Sequence, residues 1–594
     1  MSARRNQASI NTAFFALFTL ATAVSVGCGD DADDPSTSPA KGGSAGKGGS
    51  GGSTAGSAGK GGKGGTAGSA GEDGVAGDEG TAGDEGVGGA SGGQGGAAPQ
   101  AFAPITAVDD ALFTEFHDLR GLTYAKDDGK IYASGYRNPT YGSGSSAVVP
   151  VDREIVVARF TADGELDDTF NDDGVATFNI VARETELQGG GGAGGAPSEE
   201  VEVIINDGNE DSIGLVELDN GDLVVQVGLR GETGAGQDVG LLKLDNNGDP
   251  VAAFGNARGQ DGLIVVDFGW TDAAKASASD TAWGVELDSS GAEEKLVISG
   301  FGPAAEGELD DEDVQRTDND RYVVRLMADD GTIDPDFNGG AIFSYNSLGT
   351  FADNARRPLV EDDGAIMSSG YTNFGAGLEN HIMLIRLLPD GTPDPDFGFG
   401  IVGDGVARAN PYLTDGGAAE VYSVAKQASG RYVTTGYGEA TGDLIMSSYG
   451  WVSSTAQDLV SFGVLPGGID TTYGVQGNVA IQSEEAGLTG TEDRGRDLLV
   501  LPDQRIVQVG RFGDAPAIFV QLPDGQIDTA VGTMGRFMYD ALVFTDSDGV
   551  EPLLPPTSTS HFYNVALSPD GKRIAATTNN SPLGVRLAIL EVAE

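Results

Sequence analysis

Leu119-Arg120-Gly121-Leu122-Thr123-Tyr124-Ala125, Lys126-Asp127-Asp128-Gly129 and Ile131-Tyr132-Ala133-Ser134-Gly135 form one phrase: an apolar run, a tight turn, and a second apolar run ending in Gly. Asp-Gly between β-branched runs is the strongest short-range hairpin signal. The phrase occurs seven times, with turns at Asp128-Gly129, Asn220-Gly221, Ser290-Gly291, Asp363-Gly364, Ser429-Gly430, Asp503-Gln504 and Asp570-Gly571. A second hairpin follows each of the first six. In the first, Ile155 to Phe160 leads through Ala162-Asp163-Gly164 to Gly174 to Phe178. One such unit cannot bury its own apolar face, so the units must stack on one another.

The second turn carries its own spacing, an aromatic six residues after its Gly. It runs Gly164 to Phe170, Gly248 to Phe254, Gly331 to Phe337, Gly391 to Phe397 and Gly467 to Tyr473, and weakens to Gly525 to Val531. An Asp stands inside five of these, as Asp167, Asp334, Asp394, Asp470 and Asp528. Four short strands per unit, seven units and no long helical period predict an all-β fold, a single β-propeller of seven four-stranded antiparallel blades. The seventh unit ends after three strands. The free apolar segment 102–108 is expected to supply the fourth and close the ring, removing exposed edges.

These turns resemble the delta-60 repeat family of bacterial β-propellers. The resemblance rests on Leu567-Ser568-Pro569-Asp570-Gly571-Lys572, Ile385-Arg386-Leu387-Leu388-Pro389-Asp390-Gly391 and Asp394-Pro395-Asp396-Phe397-Gly398, and covers residues 115–594. It implies the fold and leaves activity open, because function resides in sites grafted on such scaffolds.

Successive first turns lie 92, 70, 73, 66, 74 and 67 residues apart, more than a compact blade needs. In an antiparallel blade of strands a to d, the a–b and c–d turns share one face. Those turns are tight, so the surplus falls on the b–c and d–a connections of the opposite face. One face is a plain floor, and the other carries the variation where function is expected.

The N-terminus has Arg4 and Arg5, an apolar segment Ala13 to Val24 too short to span a bilayer, and Ser25-Val26-Gly27-Cys28. This resembles a bacterial lipoprotein signal, implying cleavage after residue 27 and acylation of Cys28; ordinary secretory cleavage nearby is the alternative. Ser25 departs from the aliphatic residue usual there, and Asn6-Gln7-Ala8 lacks the apolar pair expected after a twin-arginine signal. Gly29 does not resemble an inner-membrane retention signal, so the outer membrane is the expected address. Cys28 is the only cysteine, which excludes an intramolecular disulfide. Residues 28–100, rich in Gly, Ser and Ala, form a tether that cannot repay the entropy of ordering. A flexible chain of about 60 such residues reaches roughly 45 Å. The propeller occupies residues 101–594.

Formal charge is −55 (35 basic against 90 acidic residues), which excludes nucleic acid and anionic lipid surfaces as partners. A monomer held to the membrane by its lipid is expected, with an envelope protein, a glycan or a cation as partner.

An acid recurs ten or eleven residues before each first turn: Asp118, Asp211, Asp280, Asp353, Glu420 and Asp493, with His561 in the seventh place. At the start of each innermost strand these groups would ring the channel mouth, where hard oxygen ligands suit Ca²⁺. The competing expectation is that each acid caps N–H groups of its own turn. The acidic stretch Glu306 to Asp320, Asp546-Ser547-Asp548-Gly549, and the pair His117 and His561 are weaker cation candidates; His381 completes the histidines. The stretch Gly189 to Gly195 reads as a flexible insertion without the strand–helix context of a phosphate loop. A non-catalytic binding or scaffold module is the primary reading, and a carboxylate-dependent hydrolase or lyase at the channel mouth the alternative. Exposed aromatics in the long connections, such as Tyr136, Tyr141, Tyr449 and Trp451, would favour glycan binding.

Overall fold

The computed structural model describes residues 102–593, except 138–152, 182–183, 190–199, 207–209, 231–236, 269–278, 306, 310–312, 314, 317, 348–351, 375–378, 400–404, 410–418, 440–456, 484–492, 514, 540–560 and 579–583. Cys28 and the tether lie outside the described residues.

Seven antiparallel sheets, each a blade with strands in the order a, b, c, d, form a seven-bladed β-propeller. Blade 1 is Asp118–Tyr124, Ile131–Arg137, Glu154–Phe160 and Val175–Phe178. The other innermost strands are Glu210–Glu217, Thr281–Asp288, Asp353–Val360, Ala419–Lys426, Arg494–Val500 and Phe562–Leu567. Blade 5 carries an extra short strand, Gly468–Ile469, and a hairpin of Glu184–Gly189 with Glu200–Asn206 stands outside the blades between blades 1 and 2. That hairpin brackets the expected insertion, most of which lies outside the described residues.

Blade 7 is closed by the N-terminal segment, which pairs antiparallel with Val585–Val592. The strand is Ile105–Phe113, so the expected bounds of 102–108 shift toward the C-terminus. Asp109 and Asp110 hid its second half in the sequence. A register shift between Ala107 and Asp109 lets the strand continue past Val108, and bulges of this kind are common at sheet edges.

The apolar faces pack between blades. Val297 and Val323 of blade 3 meet Ile366, Met383, Ile385 and Leu387 of blade 4, with Phe337 among them. Burying one such side chain contributes about 1.5–3 kcal/mol.

The floor-face signature locks each blade to the next. Asp334 Oδ1 accepts the Asp336 N–H at 3.0 Å to form the turn, while its Oδ2 accepts from Arg325 Nε at 2.7 Å. The Arg325 guanidinium lies 4.9 Å from the centre of the Phe337 ring. Phe337 then meets the next blade at Gly391, where a Cβ would lie 3.0 Å from the ring and φ is +81°. Gly331 receives Phe254 of blade 2 in the same way, at φ +69°. Only glycine satisfies both the close approach and the left-handed backbone. Arg159 with Asp167 (2.7 Å) and Arg431 with Asp470 (2.6 Å) repeat the pairing, as do Arg386 with Asp394 and Arg505 with Asp528.

Candidate functional site

The channel is built by the seven innermost strands. The acids at their starts are buried: Asp118, Asp280, Asp353 and Asp493 are fully enclosed, and Asp211, Glu420 and His561 nearly so. Buried N–H groups need acceptors, and these carboxylates supply several where one blade hands over to the next. Asp280 accepts from the Phe268 amide at 3.1 Å, just past strand d of blade 2. Asp353 accepts from the Ser347 amide and, at 2.6 Å, from the Ser347 hydroxyl. Asp493 accepts from the Ser483 and Gly513 amides, both at 2.6 Å. Asp280 and Asp353 therefore point toward outer strands, away from the channel axis. Burial raises the Asp353 carboxyl above its ordinary range, with the Ser347 and Thr372 donors opposing.

The remaining members differ. Glu420 is held by Arg356 (2.9 Å), Asn380 (2.8 Å) and the Tyr437 hydroxyl (2.7 Å). Asp118 pairs with Arg120 at 2.7 Å. In blade 2 the handover amide of Val181 donates to Glu210, not to the neighbouring Asp211 that the spacing favours, whose Oδ1 fills the space over Gly228. His561 stacks on Tyr563 at 5.7 Å. Burial, then Arg153, lowers the His117 pKa. The structure thus distributes the seven positions among blade junctions rather than gathering them at one point.

What does converge on the axis lies two or three residues further along each innermost strand. Pairing of strands a and b slips once in every blade, between Leu119 and Gly121, Ser212 and Gly214, Ala282 and Val285, Ala355 and Pro358, Val421 and Ser423, Gly495 and Asp497, and Phe562 and Asn564. A bulge re-aims the extra side chain. The bulged residues are Arg120, Ile213, Trp283 beside Gly284, Arg356 beside Arg357, Tyr422, Arg496 and Tyr563, and Ile213, Trp283, Tyr422 and Tyr563 share one buried cluster although they come from four blades.

Around the ring, arginines alternate with aromatics. Arg356 lies 4.3 Å from the Trp283 ring and 4.9 Å from Tyr422; Arg496 lies 4.4 Å from Tyr422 and 5.3 Å from Tyr563; Arg120 lies 5.0 Å from Tyr563. Ile213 alone breaks the alternation. Desolvated contacts of this type contribute up to about 2 kcal/mol each. Trp283 also stacks on Tyr563 at 6.2 Å across the axis. All seven side chains are buried, so they fill the middle of the channel and separate its mouth from its floor half. Spacing alone does not reveal this ring, because its members fall two residues after the acid or histidine in four blades and three residues after it in the other three.

On the floor side of the plug stand Glu286 of blade 3, Arg357 of blade 4 and Asp497 of blade 6. Arg357 Nη1 lies 3.5 Å from Asp497, and its Nη2 donates to the Arg120 and Tyr563 carbonyls at 3.4 and 3.3 Å. Burial pushes the Glu286 carboxyl up to about 7, with Arg357 lowering it and Asp497 raising it.

Among the described residues, Asp238, Asp267 and Asp280 are the group of three whose carboxylate oxygens lie within 4.8 Å of one another, a spacing that would suit a hard cation. Arg258 already pairs with Asp238. In the acidic stretch of blade 3, Glu308, Asp318 and Asp320 converge on Arg316 at 2.8, 2.6 and 2.5 Å. Tyr136 is buried, with Arg153 4.2 Å from its ring centre. Asp546 to Gly549, Tyr141, Tyr449 and Trp451 lie outside the described residues.

No protein-family profile matches the chain, and no curated protein matches it. Among solved structures it is similar to a protein of unknown function from Dyadobacter fermentans (11% identity, 82% of this chain and 99% of that chain, TM-score 0.35). It is similar also to Chaetomium thermophilum Raptor (8%, 83% and 30%, 0.35) and to PorZ, a surface component of the type-IX secretion system of Porphyromonas gingivalis (10%, 79% and 46%, 0.33). At these scores the likeness carries no functional conclusion, and the fold rests on the strand pairing itself.

Proposed function

We propose that the chain is a lipid-anchored, extracytoplasmic binding or scaffold propeller, of the delta-60 repeat type, which presents its long-connection face to an envelope protein, a glycan or a cation. The observation that carries this reading is the inequality of the two faces. Floor turns repeat one hydrogen-bonded design from blade to blade, whereas the b–c connections alone range from the two residues 513–514 of blade 6 to the seventeen residues 440–456 of blade 5. Variation confined to one face of a rigid repeat scaffold is the arrangement of a binding surface. Anchorage rests on the resemblance around Cys28, and the acidic surface favours a neutral or cationic partner.

Two measurements test it together. Cys28→Ala should move the protein from the membrane to the soluble extracytoplasmic fraction, and wild-type protein wholly in the aqueous phase of a detergent partition would end the anchor proposal. Residues 101–594 on a glycan array and in crosslinking on intact cells should bind in a manner lost when the 440–456 connection is replaced by Gly/Ser, yet kept when the Ala162-Asp163 floor turn is altered. The reverse pattern would place binding on the floor.

A further inference from the structure

Glu286 differs from every acid at the channel mouth. Among the described residues no donor hydrogen-bonds or ion-pairs with its carboxylate, and the charges that bear on it are Arg357 and Asp497. Arg357 is engaged elsewhere, on Asp497 and on two backbone carbonyls. The three groups together carry one net negative charge when ionised. Above them the arginine–aromatic plug closes the channel, beginning with Trp283 three residues earlier on the same strand. Glu286 is nevertheless only half-buried. Because the blade faces are packed against neighbours, the opening beside it is the floor half of the channel. Glu286 thus lies on the floor side of the plug with no hydrogen-bonding partner for its carboxyl among the described residues.

The rest of that level decides what the floor half of the channel would take. Three residues after each bulged residue, where blade 3 has Glu286, the other blades have Val216, Leu359, Ala425, Leu499 and Ala566, with Thr123 in blade 1. A calcium ion takes 6–8 oxygen ligands, and Glu286, Thr123 and an Asp497 already engaged by Arg357 and the Val565 amide offer too few. An ammonium group on a short apolar stem needs one carboxylate and apolar walls. An uncompensated carboxylate in such a place is costly, and its elevated pKa reflects that cost.

We propose that the floor half of the channel is a binding well for a small organic cation, whose ammonium group pairs with Glu286. The proposal is separate from the binding assigned to the opposite face, and the two can fail independently.

Ethylammonium is the probe, titrated calorimetrically into the folded chain at pH 8. Saturable binding is expected, weakened by roughly tenfold or more in Glu286→Gln, as loss of one partner of an enclosed charge pair requires, and unchanged in Asp280→Asn at the mouth. In wild-type protein the Glu286 carboxyl ¹³C resonance should titrate at lower pH once ethylammonium is bound, a readout independent of any variant's folding. Absence of binding, equal affinity in Glu286→Gln, or an unmoved Glu286 titration would each overturn the proposal. Displacement of the probe by Ca²⁺ with higher affinity would overturn it in favour of a metal.

Discussion

The floor turns and the channel strands both bury carboxylates, yet they treat them in opposite ways. On the floor, Asp167, Asp334 and Asp470 lie below the ordinary carboxyl range: burial pushes each upward, and donors from threonine, backbone, lysine and arginine outweigh it. In the channel strands, burial prevails at Asp353 and at Glu286. Asp353 also has several opposing donors, so the sign follows from the balance of desolvation against partners, and desolvation is the larger in the channel strands. A carboxylate that must pin a turn is surrounded by cations. One that caps a handful of amides, or faces a lumen, is left part-way to neutrality.

The largest effect expected from this contrast is on the floor. Arg325 is buried between Asp334 (2.7 Å) and Asp288 (3.1 Å) and lies against Phe337. Arg325→Met leaves two enclosed carboxylates with less compensation, which should cost about 3–5 kcal/mol at neutral pH. The Asp334 pKa is depressed in the folded state, so its stabilisation is present above the unfolded value near 4 and lost as pH falls below it. The gap in melting temperature between wild type and Arg325→Met should therefore narrow in acid. A constant gap from pH 7 to pH 3 would refute the assignment of charge to this turn.

Glu286→Gln should act with the opposite sign. The folded pKa is raised to about 7 against an unfolded value near 4.5, so ionisation costs stability progressively as pH rises through that window. In the absence of a bound cation the amide variant should match wild type at pH 4 and be more stable at pH 8 by roughly 2 kcal/mol, somewhat under the full 1.36 kcal/mol per unit. Melting curves at the two pH values decide it. A variant less stable at pH 8 would mean that the carboxylate is paired.

The same contrast governs what the sequence could tell. Floor turns were legible because Asp-Gly pairs and the aromatic six residues later recur in fixed columns. Their cationic partners were not, because the arginine moves from strand c (Arg159, Arg325, Arg386) to the start of strand b (Arg431, Arg505) and no single column displays it. The acids were found by spacing, but spacing does not tell an inward from an outward side chain. The bulge, which decides that, is a slip in hydrogen bonding without a residue signature of its own: Arg, Ile, Trp and Tyr all occupy it. Glu210 was missed for a related reason, since a one-residue shift exchanges faces in a strand and the neighbouring Asp211 fitted the spacing better.

The smallest effect concerns a single donor at the mouth. The Ser347 hydroxyl reaches Asp353 at 2.6 Å and Thr372 at 2.8 Å, while the Ser347 amide holds the other Asp353 oxygen. Ser347→Ala removes the hydroxyl and keeps the amide, so the cap persists and about 1 kcal/mol should be lost. The hydroxyl favours the charged carboxylate, so its removal raises an already elevated Asp353 pKa further. A raised folded pKa makes ionisation unfavourable to folding, and that cost is felt only above the unfolded value near 4. The loss should thus be larger at pH 7 than at pH 4. Equal losses at both pH values would show that Asp353 stays protonated throughout, and that the mouth acids act as neutral caps.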